Sequence, residues 1–355
     1  MKCATVVGGG VGGLLTAAAL ANAGAKVTLI DKNNRLGGRL DTLRLTAPSI
    51  NRTFAFDTGP SLLLLPSVYR DALDSVKANT SALLLKQVRP SYAVHFSDGL
   101  QPSTLCLGGD ALDEARLREG MEAVEPGAYA QLRYYMRAAR ALLRSGLPIF
   151  LRERLGLAEL MTLPRFVRAA LLGGESLGAG GARPLVDWPL RSHAAQLAAR
   201  FGVARHRALL SYQDLYIGER PSAAPSVFSL LQAIEIDEPS EAGGADAIDA
   251  ASLDAGVYYP LGGFGTVRDL LVRACEEAGV DIRLSTQATK IETQRGSDGQ
   301  LRVSGVRVSP APPSRASLDP TEPEGAAPLE RAFAEETLLE SDCVLVNADL
   351  AQAEP

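Results

Sequence analysis

The sequence predicts an α/β fold, and three observations near its start carry that reading. Cys3–Val7 is an apolar run short enough for a buried parallel strand. Gly8, Gly10 and Gly13 follow it at the spacing G-x-G-x-x-G. A helix-like stretch then runs to about Ala23, where Gly24 can end it, and leads to a second strand, Lys26–Ile30, ending on Asp31. Strand, glycine turn, helix and strand in this order make a βαβ unit. Gly8 permits the tight turn, Gly10 lets backbone approach a pyrophosphate, and Gly13 lets helix and strand pack closely. Phosphates would sit at the helix N-terminus, and Asp31 would bond adenosine ribose hydroxyls. Glycines also occur in ordinary βα turns, but an acid about twenty residues on favours a dinucleotide.

Past the second strand stand Arg35-Leu36-Gly37-Gly38-Arg39. Glycines there let another loop come close without side-chain clash, and Arg39 can grip a phosphate with a two-pronged guanidinium. The two segments together resemble the two-dinucleotide-binding signature of the FAD-dependent amine oxidase and carotenoid desaturase superfamily. Asp31 stands where many members carry Glu. The resemblance implies FAD as cofactor, a Rossmann-like FAD-binding domain, and an α+β substrate domain inserted into it.

The 355 residues suffice for about two domains with sizeable cores. Hydrophobic content of 46% and charged content of 22% suit a soluble globular protein. A net charge of −5 argues against a nucleic-acid binder. Cys3, Cys106, Cys275 and Cys343 form no C-x-x-C pair and read as free thiols rather than a disulfide frame or zinc site. The first strand leaves no room for a signal or transit peptide, and no stretch reaches eighteen uninterrupted apolar residues. The expectation is an intracellular protein without a transmembrane segment.

Thr42–Phe56 should form a β-hairpin or loop. Phe56-Asp57-Thr58-Gly59-Pro60-Ser61, followed by Leu62–Leu65 and Pro66, resembles the FD-x-GPSLLLLP segment of fungal-type phytoene desaturases. The resemblance implies that this segment runs beside the flavin ring; the pattern alone fits a buried turn with a core strand equally well. Ser91–Phe96 and Ser103–Leu107 read as paired strands around Ser97-Asp98-Gly99. Residues 111–172 have helical spacing. Within them Leu142–Leu172, punctuated by Arg144, Arg152, Arg154, Arg165 and Arg168, fits a helix lying in a membrane interface. It also fits core-facing helices with solvated arginines.

Gly173–Gly181 breaks the pattern. Helical segments resume at Ser192–Phe201, Ala204–Leu215 and Val227–Glu235, with a loop at Tyr216–Gly218 and Pro221–Pro225. The run LYIGERPSAAPSVFSLLQ resembles a desaturase segment that leads into a cavity-lining helix. Glu235–Gly256 is acidic and rich in Ala, Gly and Asp, and reads as an inserted surface loop. Gly256–Gly263, GVYYPLGG, resembles G-[VI]-[YW]-YP-x-GG of the same family. A helix, Thr266–Ala278, capped by Gly279, and strands at Val280–Leu284 and Ala288–Ile291 follow. Family members place a valine backbone against the adenine there; Ala288 holds that position. Gln300–Val308 and Glu336–Asn347 read as strands of a β-meander, with residues 309–335 a disordered insertion rich in Pro, Ala and Glu. Asp342–Leu350 resembles a family strand ending in NAD[LP]. Members continue well past it, so a C-terminally incomplete chain is expected.

Four matching blocks in family order, Val6–Arg39, Phe56–Pro66, Gln213–Gln232 and Gly256–Ile291, point to the phytoene desaturase (carotenoid desaturase and isomerase) family. The resemblance implies dehydrogenation of phytoene or a related carotenoid precursor, with hydride passing to flavin and oxygen or a quinone reoxidising it. Its domains would be 1–66 with 256–355 for FAD and 67–255 facing substrate and membrane. Cofactor candidates are Gly8, Gly10, Gly13, Asp31, Lys32, Gly38, Arg39, Gly59, Pro60 and Ala288. No metal site and no catalytic side chain are readable. His95, His193 and His206 read as surface or satisfied core residues. This scarcity of acids and bases suits a hydrocarbon substrate, where the cofactor carries the chemistry. Partners would be an apolar small molecule and a peripheral membrane surface, with no nucleic acid. A carotenoid isomerase or another flavin amine-oxidase-like enzyme is the alternative. So is a cofactor-free relative of the prenyl-binding Rab GDP-dissociation inhibitors.

Overall fold

A computed structural model describes residues 2–152, 191–236, 255–311 and 336–348. In it β1 (Cys3–Val7), α1 (Val11–Asn22) and β2 (Lys26–Ile30) form the expected βαβ unit. Helix α1 buries Gly13, Leu14, Ala17 and Ala18, and the small residues let it lie close to the sheet. Gly24, at φ +90°, follows its C-cap Ala23. An antiparallel pair comes next, β3 (Thr42–Ala47) and β4 (Arg52–Asp57), in register Thr42↔Asp57 to Ala47↔Arg52. Leu62–Leu65 forms no strand: Leu63 alone is fully buried, bridged to Tyr258, and Leu62 is exposed. Helix α2 (Pro66–Ser75) begins directly after it.

β5 (Leu85–Val88) leads into a second compact unit, Gln87–Val257. There β6 (Tyr92–His95) and β7 (Thr104–Leu107) pair antiparallel, and α3 (Ala111–Val124) starts in a capping box between Asp110 and Asp113. α4 (Ala128–Arg152), α5 (His193–Ala198), α6 (Ala204–Ser211), a 3₁₀ turn at Tyr212–Ile217 and α7 (Leu230–Glu235) complete what is described of it. The 3₁₀ turn takes up the end of the segment read as helix to Leu215. The interfacial stretch Leu142–Leu172 beyond Arg152, the glycine break and the acidic loop beyond Ile236 lie outside the described residues.

Each histidine finds a partner within this unit, although the buried Nε2 of His206 has no hydrogen bond. His193 is buried, with Nδ1 2.9 Å from Asp214 and Nε2 3.3 Å from the Tyr135 hydroxyl. Burial pushes its pKa down against the pull of Asp214, so the neutral ring donates to Asp214 and accepts from Tyr135. His206 meets Glu125 at 2.8 Å and His95 meets Thr104 at 2.7 Å.

The chain returns through β8 (Val257–Pro260) to α8 (Gly265–Glu277), with Gly279 at φ +77° closing the helix. β9 (Asp281–Arg283), β10 (Thr286–Arg295), β11 (Leu301–Pro310), β12 (Thr337–Glu340) and β13 (Cys343–Val346) follow. β10, β11 and β12 make a three-stranded antiparallel sheet. β11 extends to Pro310, two residues into the expected insertion; residues 312–335 lie outside the described residues.

β13 corrects the meander reading. It leaves that sheet and pairs in parallel with β1, from Ala4↔Cys343 to Val7↔Val346, giving a four-stranded parallel sheet β13-β1-β2-β9. Asp342 steers the change: its carboxylate accepts the Cys3 N–H at 2.7 Å while its own N–H donates to the Cys3 carbonyl at 2.9 Å. The core of this unit joins Val6, Val27 and Leu29 of the sheet to Leu14 of α1, Leu270 and Leu271 of α8, and Leu73 near the end of α2. Each such leucine contributes roughly 1.5–3 kcal/mol of burial. Because Leu73, Val76 and Leu83 belong to this core, the first unit runs to Lys86, beyond residue 66, and resumes at Tyr258.

Candidate dinucleotide-binding site

A cleft of about 1530 Å³ opens at the C-terminal ends of the parallel strands, within the first unit. Ligands of open α/β sheets bind at this edge. The Gly8 N–H donates to the Ile30 carbonyl at 2.8 Å, with φ +101°, which turns the chain sharply off β1. A Cβ on Gly13 would lie 1.9 Å from the Gly8 carbonyl oxygen, so α1 starts hard against the turn. Gly10 differs. It caps α1 in extended backbone at φ −72°, and a Cβ there would find nothing nearer than 3.8 Å. Neither strain nor packing calls for glycine at that place.

The second glycine pair straps this turn in place. Gly37 donates to the Gly9 carbonyl at 2.8 Å, and Gly10 and Gly37 form a parallel bridge. Asp31 is buried, and its carboxylate takes the Gly9 N–H at 2.7 Å on one oxygen and the Asn33 N–H at 2.8 Å on the other. It thus fixes the turn while facing the cleft, a role beyond the ribose contact expected of it. Each oxygen has a second lone pair to offer. Arg35 is drawn elsewhere: it and Arg268 both pair with the buried Asp41, the former at 2.9 Å.

Of the ten candidates, Gly8, Gly10, Asp31, Lys32, Gly38, Arg39, Gly59, Pro60 and Ala288 line the cleft, and Gly13 lies beneath its floor. Gly59 is glycine because the backbone of Arg39 crosses it; a Cβ would meet that carbonyl oxygen at 2.0 Å. Ala288 stands beside a β-bulge, where the pairing of β10 and β11 slips between Ala288 and Lys290. Bulges re-aim backbone next to sites.

Three features escaped sequence reasoning. Asp57 accepts the Phe264 N–H at 2.9 Å, the Tyr259 hydroxyl at 2.7 Å and the Thr42 hydroxyl at 3.0 Å, so the FDTGP and YYPLGG blocks are tied by one carboxylate at the start of α8. That bond holds the Tyr259 phenol above its ordinary pKa. Asn347, just past β13, also lines the cleft. In the second unit, Glu235 is buried beside Tyr92, Tyr212 and Gln213. Gln213 donates to its carboxylate, Tyr92 meets the Tyr216 hydroxyl at 2.7 Å, and burial pushes the Glu235 pKa up. No group of His, Cys, Asp and Glu among the described residues is disposed to hold a metal, and no described helix is long and apolar enough to cross a membrane.

Residues 6–78 match the family model of the NAD(P)-binding Rossmann-like domain. The chain is 32% identical over 296 residues to phytoene desaturase of Cercospora nicotianae, covering 81% of this chain and 40% of that protein. It is 28% identical over 356 residues to the zeta-carotene-forming phytoene desaturase of Myxococcus xanthus, covering 98% and 53%. Over most of its length the chain is similar to members of the phytoene desaturase family. It spans about half the length of the curated family members it matches. Among solved structures, a Rab GDI from Plasmodium falciparum aligns over 99% of this chain and 66% of its own, at TM-score 0.54 and 13% identity. An oxidoreductase from Methanosarcina mazei aligns over 97% and 58%, at TM-score 0.52 and 15% identity. These two likenesses establish the shared fold and nothing further.

Proposed function

We propose that this chain is the cofactor-binding and substrate-facing part of an FAD-dependent oxidoreductase that dehydrogenates C–C single bonds of phytoene or a related carotenoid precursor. Gly10 carries the cofactor reading: neither backbone strain nor packing demands glycine there, and beyond a modest gain as an N-cap its bare Cα serves a diphosphate seated on the N-terminus of α1. The cleft exceeds the ~300–1,000 Å³ of usual small-ligand sites, which suits an extended dinucleotide.

The residues divide the work. The first N–H groups of α1 and the helix dipole hold the diphosphate. Asp31 keeps the turn in shape and offers its remaining lone pairs to ribose hydroxyls. Lys32 and Arg39 add positive charge along the cleft, and the bulged backbone at Ala288 meets the adenine. When bound, the flavin would supply the two-electron acceptor for a hydride leaving a carbon next to an existing double bond, with the proton of the neighbouring carbon released to solvent. The protein's part is to bind, orient and keep water out.

The relatives' names supply the substrate class, a polyene hydrocarbon. A substrate of that kind dissolves in lipid, so the protein works in peripheral contact with a membrane surface. The test is anaerobic mixing of the FAD-loaded chain with phytoene in liposomes. Bleaching of the flavin absorbance with formation of a longer polyene is the expected result. Bound FAD that stays oxidised at saturating phytoene would overturn the substrate assignment.

A further inference from the structure

Gly12 occupies one of the free positions of the G-x-G-x-x-G pattern, yet it too is glycine. The reason comes from the far end of the described chain. A Cβ on Gly12 would meet the Asn347 side-chain oxygen at 2.9 Å, and one on Gly13 would meet its Nδ2 at 3.2 Å. The Asn347 side chain, itself exposed, therefore lies against the first turn of α1. Its position is set through the backbone: the Asn347 N–H donates to the Val7 carbonyl at 2.8 Å, continuing the β13–β1 ladder, and its own carbonyl abuts Gly8. Of the Asn347 amide atoms, Nδ2 is the one facing Gly10, 3.8 Å from where a Cβ would stand. The hydrogen bonds of the described residues use only its backbone, so the amide has two N–H donors to offer to the cleft.

We propose that Asn347 is a further cofactor-binding residue, its side-chain amide donating to the diphosphate seated on the N-terminus of α1. The inference rests on the dinucleotide reading of the cleft. It adds what that reading lacks, a side-chain donor directly after β13 that couples cofactor binding to the docking of that strand on β1. A neutral amide suits the place, since it donates to an anion and adds no charge beside the Asp31 carboxylate.

The test is competition of ADP against FAD on the full chain, for wild type, Asn347→Ala and Asn347→Asp, with thermal unfolding as the control for folding. Asn347→Ala should bind ADP about tenfold more weakly, the scale of one lost hydrogen bond to a charged group. Asn347→Asp should lose more, and its deficit should shrink as salt is raised, because the new carboxylate repels the diphosphate. A second route leaves Asn347 in place: Gly12→Ala pushes the amide off its seat, and should weaken ADP several-fold without loss of folding. ADP affinities within twofold of wild type for the variants, or equal losses in both Asn347 variants that ignore salt, would overturn the inference. Wild-type protein that binds neither FAD nor ADP would instead overturn the dinucleotide reading, and the inference with it.

Discussion

Gly10 and Gly13, three residues apart in the same turn, separate folding from binding. Gly13→Ala places a methyl 1.9 Å from the Gly8 carbonyl oxygen, so the backbone of the turn or of α1 must shift to make room. Overpacking of this kind costs about 1–3 kcal/mol, and backbone on both sides puts Gly13 at the upper end. At ~3 kcal/mol the melting temperature should fall by roughly 6–12 °C. Gly10→Ala meets nothing within 3.8 Å and needs no change in backbone. Its cost is that of a poorer helix cap, about 1 kcal/mol or less, or roughly 2–4 °C. The same methyl stands where the diphosphate must approach, and FAD affinity should drop at least about tenfold, or ~1.4 kcal/mol. Calorimetry and a fluorescence titration with FAD read both quantities. A Gly10→Ala protein that binds FAD like wild type, or a Gly13→Ala protein no less stable than it, would refute the reasoning.

Other expectations follow from single carboxylates. Asp57→Ala strands the Phe264 N–H and two hydroxyls and should cost about 1–3 kcal/mol, with faster hydrogen exchange at Phe264 as its local signature. Asp31→Ala should both lower the unfolding midpoint, through Gly9 and Asn33, and weaken FAD; a stable variant would disprove its structural role. Burial raises the Glu235 pKa, so the folded state holds its proton more tightly than the unfolded chain does. The stability this contributes is complete below the ordinary carboxylate range and is lost as pH rises through the elevated folded value. Glu235→Gln, which mimics the protonated form, should flatten that decline in pH-dependent urea unfolding; an unchanged slope would assign the decline to other groups.

Local chemistry was legible and long-range partnership was not. Cys3–Asp31 announces its strand, turn and helix because every requirement lies within one short stretch. β13 reads like its neighbour β12, since an apolar run looks the same in a meander and in a parallel sheet. Only the pairing of Asp342 with Cys3, across nearly the whole chain, decides between them. The start of α8 carries no cap of its own, because Asp57 and Thr42 supply it from a distant hairpin. Leu62–Leu65 looked like a strand for its apolar run, yet one bridge at Leu63 is all that the neighbouring backbone offers. Asn347 left one visible trace, the glycine at position 12 that the dinucleotide pattern does not demand.

The central claim is that the Gly8–Asp31 cleft holds the adenosine diphosphate half of a flavin dinucleotide. An equilibrium titration of FAD with the purified chain, repeated with ADP and with riboflavin as competitors, tests it most directly. The expected result is saturable FAD binding that ADP displaces and riboflavin does not. Displacement by riboflavin alone, or no FAD binding, would contradict the claim.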